Sequence, residues 1–184
     1  MIQLYTFWAT LMTKGMRVTL EELYGPAPRG SGAVTIVLTL AIPFLGLWEG
    51  IDHVARHQAI DPAGIITYCN GLTNYDNPDV RVGEVFSDAQ CAKLLRGELP
   101  RYIKMVDRQI KVAMPPHRYT AVLSFTYNEG EGTLHKSSIR RDMNEGLTVQ
   151  ACNDFLKYNM ANHKVLQGLT NRRRAERAYC LRED

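Results

Sequence analysis

Between Arg29 and Glu49 the chain carries no charge, and its 18-residue run SGAVTIVLTLAIPFLGLW, Ser31 to Trp48, has to be buried somewhere. As a helix it would rise about 27 Å, close to the hydrocarbon width of a bilayer. Gly32, Thr35, Thr39, Pro43 and Gly46 dilute its apolar character. No polar stripe interrupts it, which favours a spanning or membrane-inserted segment, with a buried core helix as the alternative. Arg29 precedes the run, and Glu49 and Asp52 follow. Residues 1–30 would then stay in the cytoplasm, or dock a partner, while the remainder crosses.

The run is not a signal peptide, because no A-x-A site closes it and about thirty residues precede it. The stretch GPAPRGSG, residues 25–32, reads as a flexible joint. Localisation is therefore expected at the inner membrane and then the periplasm, with the inner membrane a partner through this segment.

With 184 residues, the chain has room for one domain with a real core and one peripheral element. Helix signals dominate after residue 86. Ser87 and Gln90 form a capping box ahead of a stripe at Cys91, Leu95, Leu99 and Val106, with a bend expected near Gly97 or Pro100. Pro115 and Pro116 start another helix, which the glycines at 130 and 132 stop. Further helices are expected near residues 137–145, closed by Gly146, then from Thr148, and last from a cap at Thr170 or Asn171. That last helix would carry a solvated basic face, Arg172, Arg173, Arg174 and Arg177. The strand signal is local: GIITYC, an Asn70-Gly71 turn, then LTNY. The predicted architecture is mainly α, in an α+β arrangement with a small hairpin lobe beside a helical lobe and an apolar N-terminal helix.

A formal charge of +3 is too mild to single out nucleic acid. Cys69, Cys91, Cys152 and Cys180 form no C-x-x-C pair, and the five histidines are scattered, so no metal or cofactor is expected. An even number of cysteines in a chain with an export-like segment predicts two disulfides formed outside the cytoplasm, in any of three pairings.

Three residues suit cleavage of a glycosidic bond. That reaction needs one carboxylic acid that holds its proton and a second acidic group that stays ionised. Glu49 follows Phe44, Leu45, Leu47 and Trp48, whose apolar surroundings suit the first role. Asp61 opens the turn DPAG and suits the second. Thr67, on the candidate strand, could orient a water without adding charge.

The motifs WEG (48–50), DPAG (61–64), TYCNGLT (67–73), SFTYNEGEG (124–132), KSSIRRDMNEG (136–146) and GLTNRRRAERAYCL (168–181) occur in this order. Together they resemble the phage-type muramidases of glycoside hydrolase family 24, in particular the membrane-exported endolysins of lambdoid phages that carry a signal-arrest-release segment. The likeness spans residues 48–181. It implies a lysozyme-like catalytic domain at 49–184 behind a signal-arrest-release-like segment at 31–48. It also implies cleavage of the β-1,4 bond between N-acetylmuramic acid and N-acetylglucosamine in peptidoglycan during host lysis. Glu49 would be the general acid, Asp61 the second carboxylate and Thr67 its partner in holding the attacking water, with an inverting course. Asn70, Tyr127 and Asn128 would touch substrate, Glu129 would face water, and Arg173 with Glu176 would be a structural pair. No stable protein partner is expected. The cysteines fall where exported members have theirs, and pairing nearest neighbours predicts Cys69 with Cys91 and Cys152 with Cys180.

One departure separates the chain from this pattern: about three extra residues lie between Glu49 and Asp61, where HVARHQAI replaces the usual approach to the aspartate. A longer hairpin would absorb them, or Asp52 would replace Asp61; His53 and His57 would be surface loop residues. The insert keeps open a second reading, an inert lysozyme-like domain that binds peptidoglycan or serves in the virion. Position also suggests that Glu49 is misplaced while 31–48 spans a bilayer and is set by its release.

Overall fold

The structure is a computed structural model and describes residues 32–49, 52–57, 65–69, 71–75 and 77–182. The expected cytoplasmic or docking segment at 1–30, the Asp61 turn and Asn70 lie outside them. The charge-free run forms helix α1, Gly32–Glu49, with Pro43 inside it. Val37, Leu38, Ala41, Ile42 and Leu45 are buried there, in one cluster with Leu95, Leu99, Val122, Phe125 and Leu134. The spacing 38, 41, 42, 45 is that of one helical face, so α1 spends its apolar side on the protein core.

That packing corrects the membrane expectation. Among the described residues no helix is long and apolar enough to cross a membrane. The inner-membrane partner, the signal-anchor role and the passage from inner membrane to periplasm are therefore withdrawn. Threonines, a proline and glycines dilute the run, and five of its large or medium apolar side chains already face protein.

A three-stranded antiparallel sheet follows, in the order β1 (Asp52–His57), β2 (Ile66–Cys69), β3 (Leu72–Thr73). Strand β1 takes in residues 53–57 of the stretch that a longer hairpin was expected to absorb. Its register absorbs extra length, since the four residue steps from Asp52 to Arg56 lie beside only two from Cys69 to Thr67. This is a bulge. The bulged stretch gains bonds from the other side, where Ala55 N–H donates to the Glu84 carbonyl and Gly83 N–H to that of Ala55, each at 2.9 Å. Tyr68, on the inner face of β2, stacks on Phe86 at 5.0 Å and shares a small second core with Ala55, Leu72, Val80 and Cys91.

The helical lobe comprises α2 (Asp88–Gln109), α3 (Pro116–Lys136), α4 (Ser138–Asn144), α5 (Thr148–Asp154) and α6 (Gln167–Cys180). Ser87 and Gln90 cap α2 reciprocally, and that helix runs through Gly97 and Pro100 without ending. Helix α3 turns at Gly130, whose φ of 80° only glycine adopts readily, and then resumes instead of stopping. A second hairpin, β4 (Met160–Ala161) with β5 (Lys164–Val165), was not expected; Asn162 and His163 turn it with positive φ. Helix α6 starts three residues ahead of its expected cap, after Leu166, which caps it with no side-chain bond.

Two disulfides join Cys69 to Cys91 and Cys152 to Cys180. The first ties β2 to the start of α2, and the second ties α5 to the end of α6.

Candidate active site

Glu49 ends α1, so its backbone sits where helix and sheet lobes meet. Trp48, just before it, is half-buried, and its indole nitrogen is enclosed without a hydrogen-bond partner. One turn earlier Phe44 lies against Tyr179 of α6, ring centroids 4.8 Å apart, which braces this end of α1. Asp61 and Asn70 are not among the described residues, so their side chains are not brought to the site by any described contact.

Thr67 stands in the middle of the sheet, opposite Arg56 on β1 and Thr73 on β3. Alternation puts it on the face away from buried Tyr68. Its Oγ1 is enclosed yet makes no hydrogen bond among the described residues. A buried hydroxyl without a partner is costly in a protein that never supplies one, and a water or substrate oxygen would satisfy it. Asp52 is opposite Cys69 in the same ladder, two positions along from Thr67.

The far wall is built by α3 and α6, which run antiparallel: Arg118 Nε donates to the Cys180 carbonyl at one end, and at the other Arg173 donates to Asn128 Oδ1. Between these ends lies a buried ionic lattice. Ser124 Oγ donates to Glu176 Oε1 at 2.7 Å, Arg172 Nε to the same oxygen at 3.1 Å, and Arg172 reaches the Ser124 carbonyl at 3.1 Å. Arg173 pairs with Glu176 Oε2 at 3.0 Å and lies 5.0 Å over the Phe125 ring. Burial pushes the Glu176 carboxyl up, against the pull of Arg173, Arg172 and the Ser124 hydroxyl.

Two expectations change here. Arg172 and Arg173 are buried, not part of a solvated basic face, because the lattice compensates their charge. Glu129 does not simply face water, since it stands 3.7 Å from Arg173. Tyr127 is half-buried with its ring 4.7 Å from that of Tyr102, and Arg101 lies 5.0 Å over Tyr102. Tyr102 and Arg101 were not foreseen in this wall. Sequence does carry a faint signal for the lattice, because Glu176 stands three and four residues after the two arginines, on one helical face.

The family described as "Phage lysozyme" matches residues 47–176. The SAR-endolysin of Enterobacteria phage PA-2 is 31% identical over 152 residues, covering 83% of this chain and 90% of that protein. The SAR-endolysin of Bacteriophage PS119 is 30% identical over 151 residues, covering 82% and 89%. Among solved structures, the endolysin from Escherichia coli O157:H7 phage FAHEc1 superposes with a TM-score of 0.67 at 26% identity, covering 77% of this chain and 90% of that one.

Proposed function

Because the chain belongs to the phage lysozyme family, we infer that it is a glycoside hydrolase, a muramidase that hydrolyses peptidoglycan for host lysis as phage endolysins do. The bond cut is the β-1,4 link between N-acetylmuramic acid and N-acetylglucosamine. The match over residues 47–176 carries this reading, because it takes in Glu49, Thr67 and the α3–α6 wall together.

Glu49 is the general acid. Its backbone closes α1, directly after Trp48. A neutral acid can protonate the leaving sugar oxygen. Asp61 is the second carboxylate, and Thr67 holds the attacking water; the unpartnered Thr67 hydroxyl supports that role. Direct attack by water requires the two carboxyl groups to stand about 6.5–9.5 Å apart.

The inert reading loses its motive. Residues 53–57 of the stretch that raised it lie in strand β1, and a bulge takes up extra residues while pairing to β2 continues around Thr67. Mass spectrometry of the products tests the reaction: free reducing-end muramic acid is expected, and an anhydro sugar would mean a lytic transglycosylase instead.

A further inference from the structure

Asn128 is exposed at the end of the first stretch of α3, two residues before the Gly130 turn. Its amide oxygen accepts a bond from Arg173, a guanidinium that is fully buried. A guanidinium has donors and no acceptor, so it admits only the oxygen side of an amide. Arg173 is in turn immobilised by Glu176 at 3.0 Å, by Glu129 at 3.7 Å and by the Phe125 ring beneath it. The cation therefore decides which way the amide faces. Asn128 Nδ2 is left pointing outward, with no partner among the described residues.

We propose that Arg173 is a positioning residue that holds Asn128 as an outward hydrogen-bond donor to an amide carbonyl oxygen of the glycan substrate. This rests on the muramidase reading. Peptidoglycan offers such a carbonyl in two places, the 2-acetamido groups and the lactyl–peptide linkage. A hydroxyl could take either amide face, whereas a carbonyl takes only the donor face, and a fixed amide selects between them.

The test measures Kd for soluble peptidoglycan fragments in three forms: intact, stripped of peptide, and N-deacetylated. Asn128→Asp keeps the shape, keeps the bond to Arg173 and removes the donor. It is expected to weaken binding of the intact form about tenfold. The penalty should vanish in the N-deacetylated form if the acetamido carbonyl is the acceptor, and should change only in the peptide-stripped form, where a carboxylate replaces the amide, if the lactyl–peptide carbonyl is. Arg173→Lys keeps the charge but loses the fork, and should weaken binding of the intact form. Combined with Asn128→Asp it should add nothing, because both changes remove one contact. An unchanged Kd for Asn128→Asp, an equal penalty on all three forms, or additive effects of the two substitutions would overturn the proposal. Wild-type cleavage, followed in parallel, reports the muramidase reading separately. Cleavage with an unchanged Asn128→Asp Kd sinks only the donor role; no wild-type binding to any form sinks both.

Discussion

Thr67 carries an enclosed hydroxyl that none of the described residues satisfies. Replacing it with valine keeps shape and removes an uncompensated polar group. Thr67→Val should therefore leave Tm unchanged or higher while lowering kcat on the order of 10²-fold, the size of a lost water-positioning or proton-transfer contribution. Thermal melts and turbidity assays read the two effects; a lower Tm with normal kcat would make Thr67 structural. Elsewhere, Arg108 donates to both oxygens of Glu131, at 2.9 and 2.6 Å, across the resumed part of α3. With a further bond from Gln109, this holds the Glu131 carboxyl down at about 2, below its ordinary value of 4.5. The folded value is depressed, so the stabilisation is present above about pH 4.5 and is lost as pH falls toward 2. The Tm gap between wild type and Glu131→Gln should close across that window. A gap that persists at pH 2 would mean the pair is not its source.

At the scale of elements, the α3–α6 lattice shows what a buried charge costs once uncovered. Glu176 answers two buried guanidiniums. Glu176→Gln should destabilise the fold by about 3–5 kcal/mol, since both arginines stay buried without their anion. Chemical denaturation measures this, and a loss under 1 kcal/mol would show the lattice to be solvated. The arginines looked like surface in the sequence because a basic helix face usually is; Glu176 of the same helix answers them, and Ser124, which the packing of α3 brings to that carboxylate, completes the compensation that makes burial tolerable. Signals carried within a few residues were legible: the Ser87–Gln90 box, the Gly146 stop and Thr148 start, and the β2–β3 turn. Signals that depend on a distant partner were not. Strand β1 reads as an insert because its partners are β2 and residues 83–85. Strands β4 and β5 are exposed on both faces and show no alternation. At the candidate site, Glu49 and Thr67 are proposed through motifs, while the Arg173 bond to Asn128 needed the folded lattice to be seen.

For the molecule as a whole, the sheet lobe has only a small core of its own, and a disulfide binds it to α2. The cross-links close loops of 22 and 28 residues, which corresponds to about 3 kcal/mol each by chain entropy. Losing both removes a large part of a typical domain's 5–15 kcal/mol. Reduction should lower Tm markedly, and the Cys69→Ser/Cys91→Ser protein should show weakening of the sheet lobe first in hydrogen exchange. Uniform exchange across both lobes would contradict that. The apolar run was open to two burials in the sequence, bilayer or core, and α1 resolves it through the face that meets α3. Glu49 stands at the end of that packed helix, and its proposed role as the acid depends on that position. Clearing of chloroform-treated Gram-negative cells by wild type and by Glu49→Gln, at matched concentration and with both proteins folded, tests this most directly. We expect Glu49→Gln to clear about a thousandfold more slowly; equal rates would remove Glu49 from the mechanism and the proposed site with it.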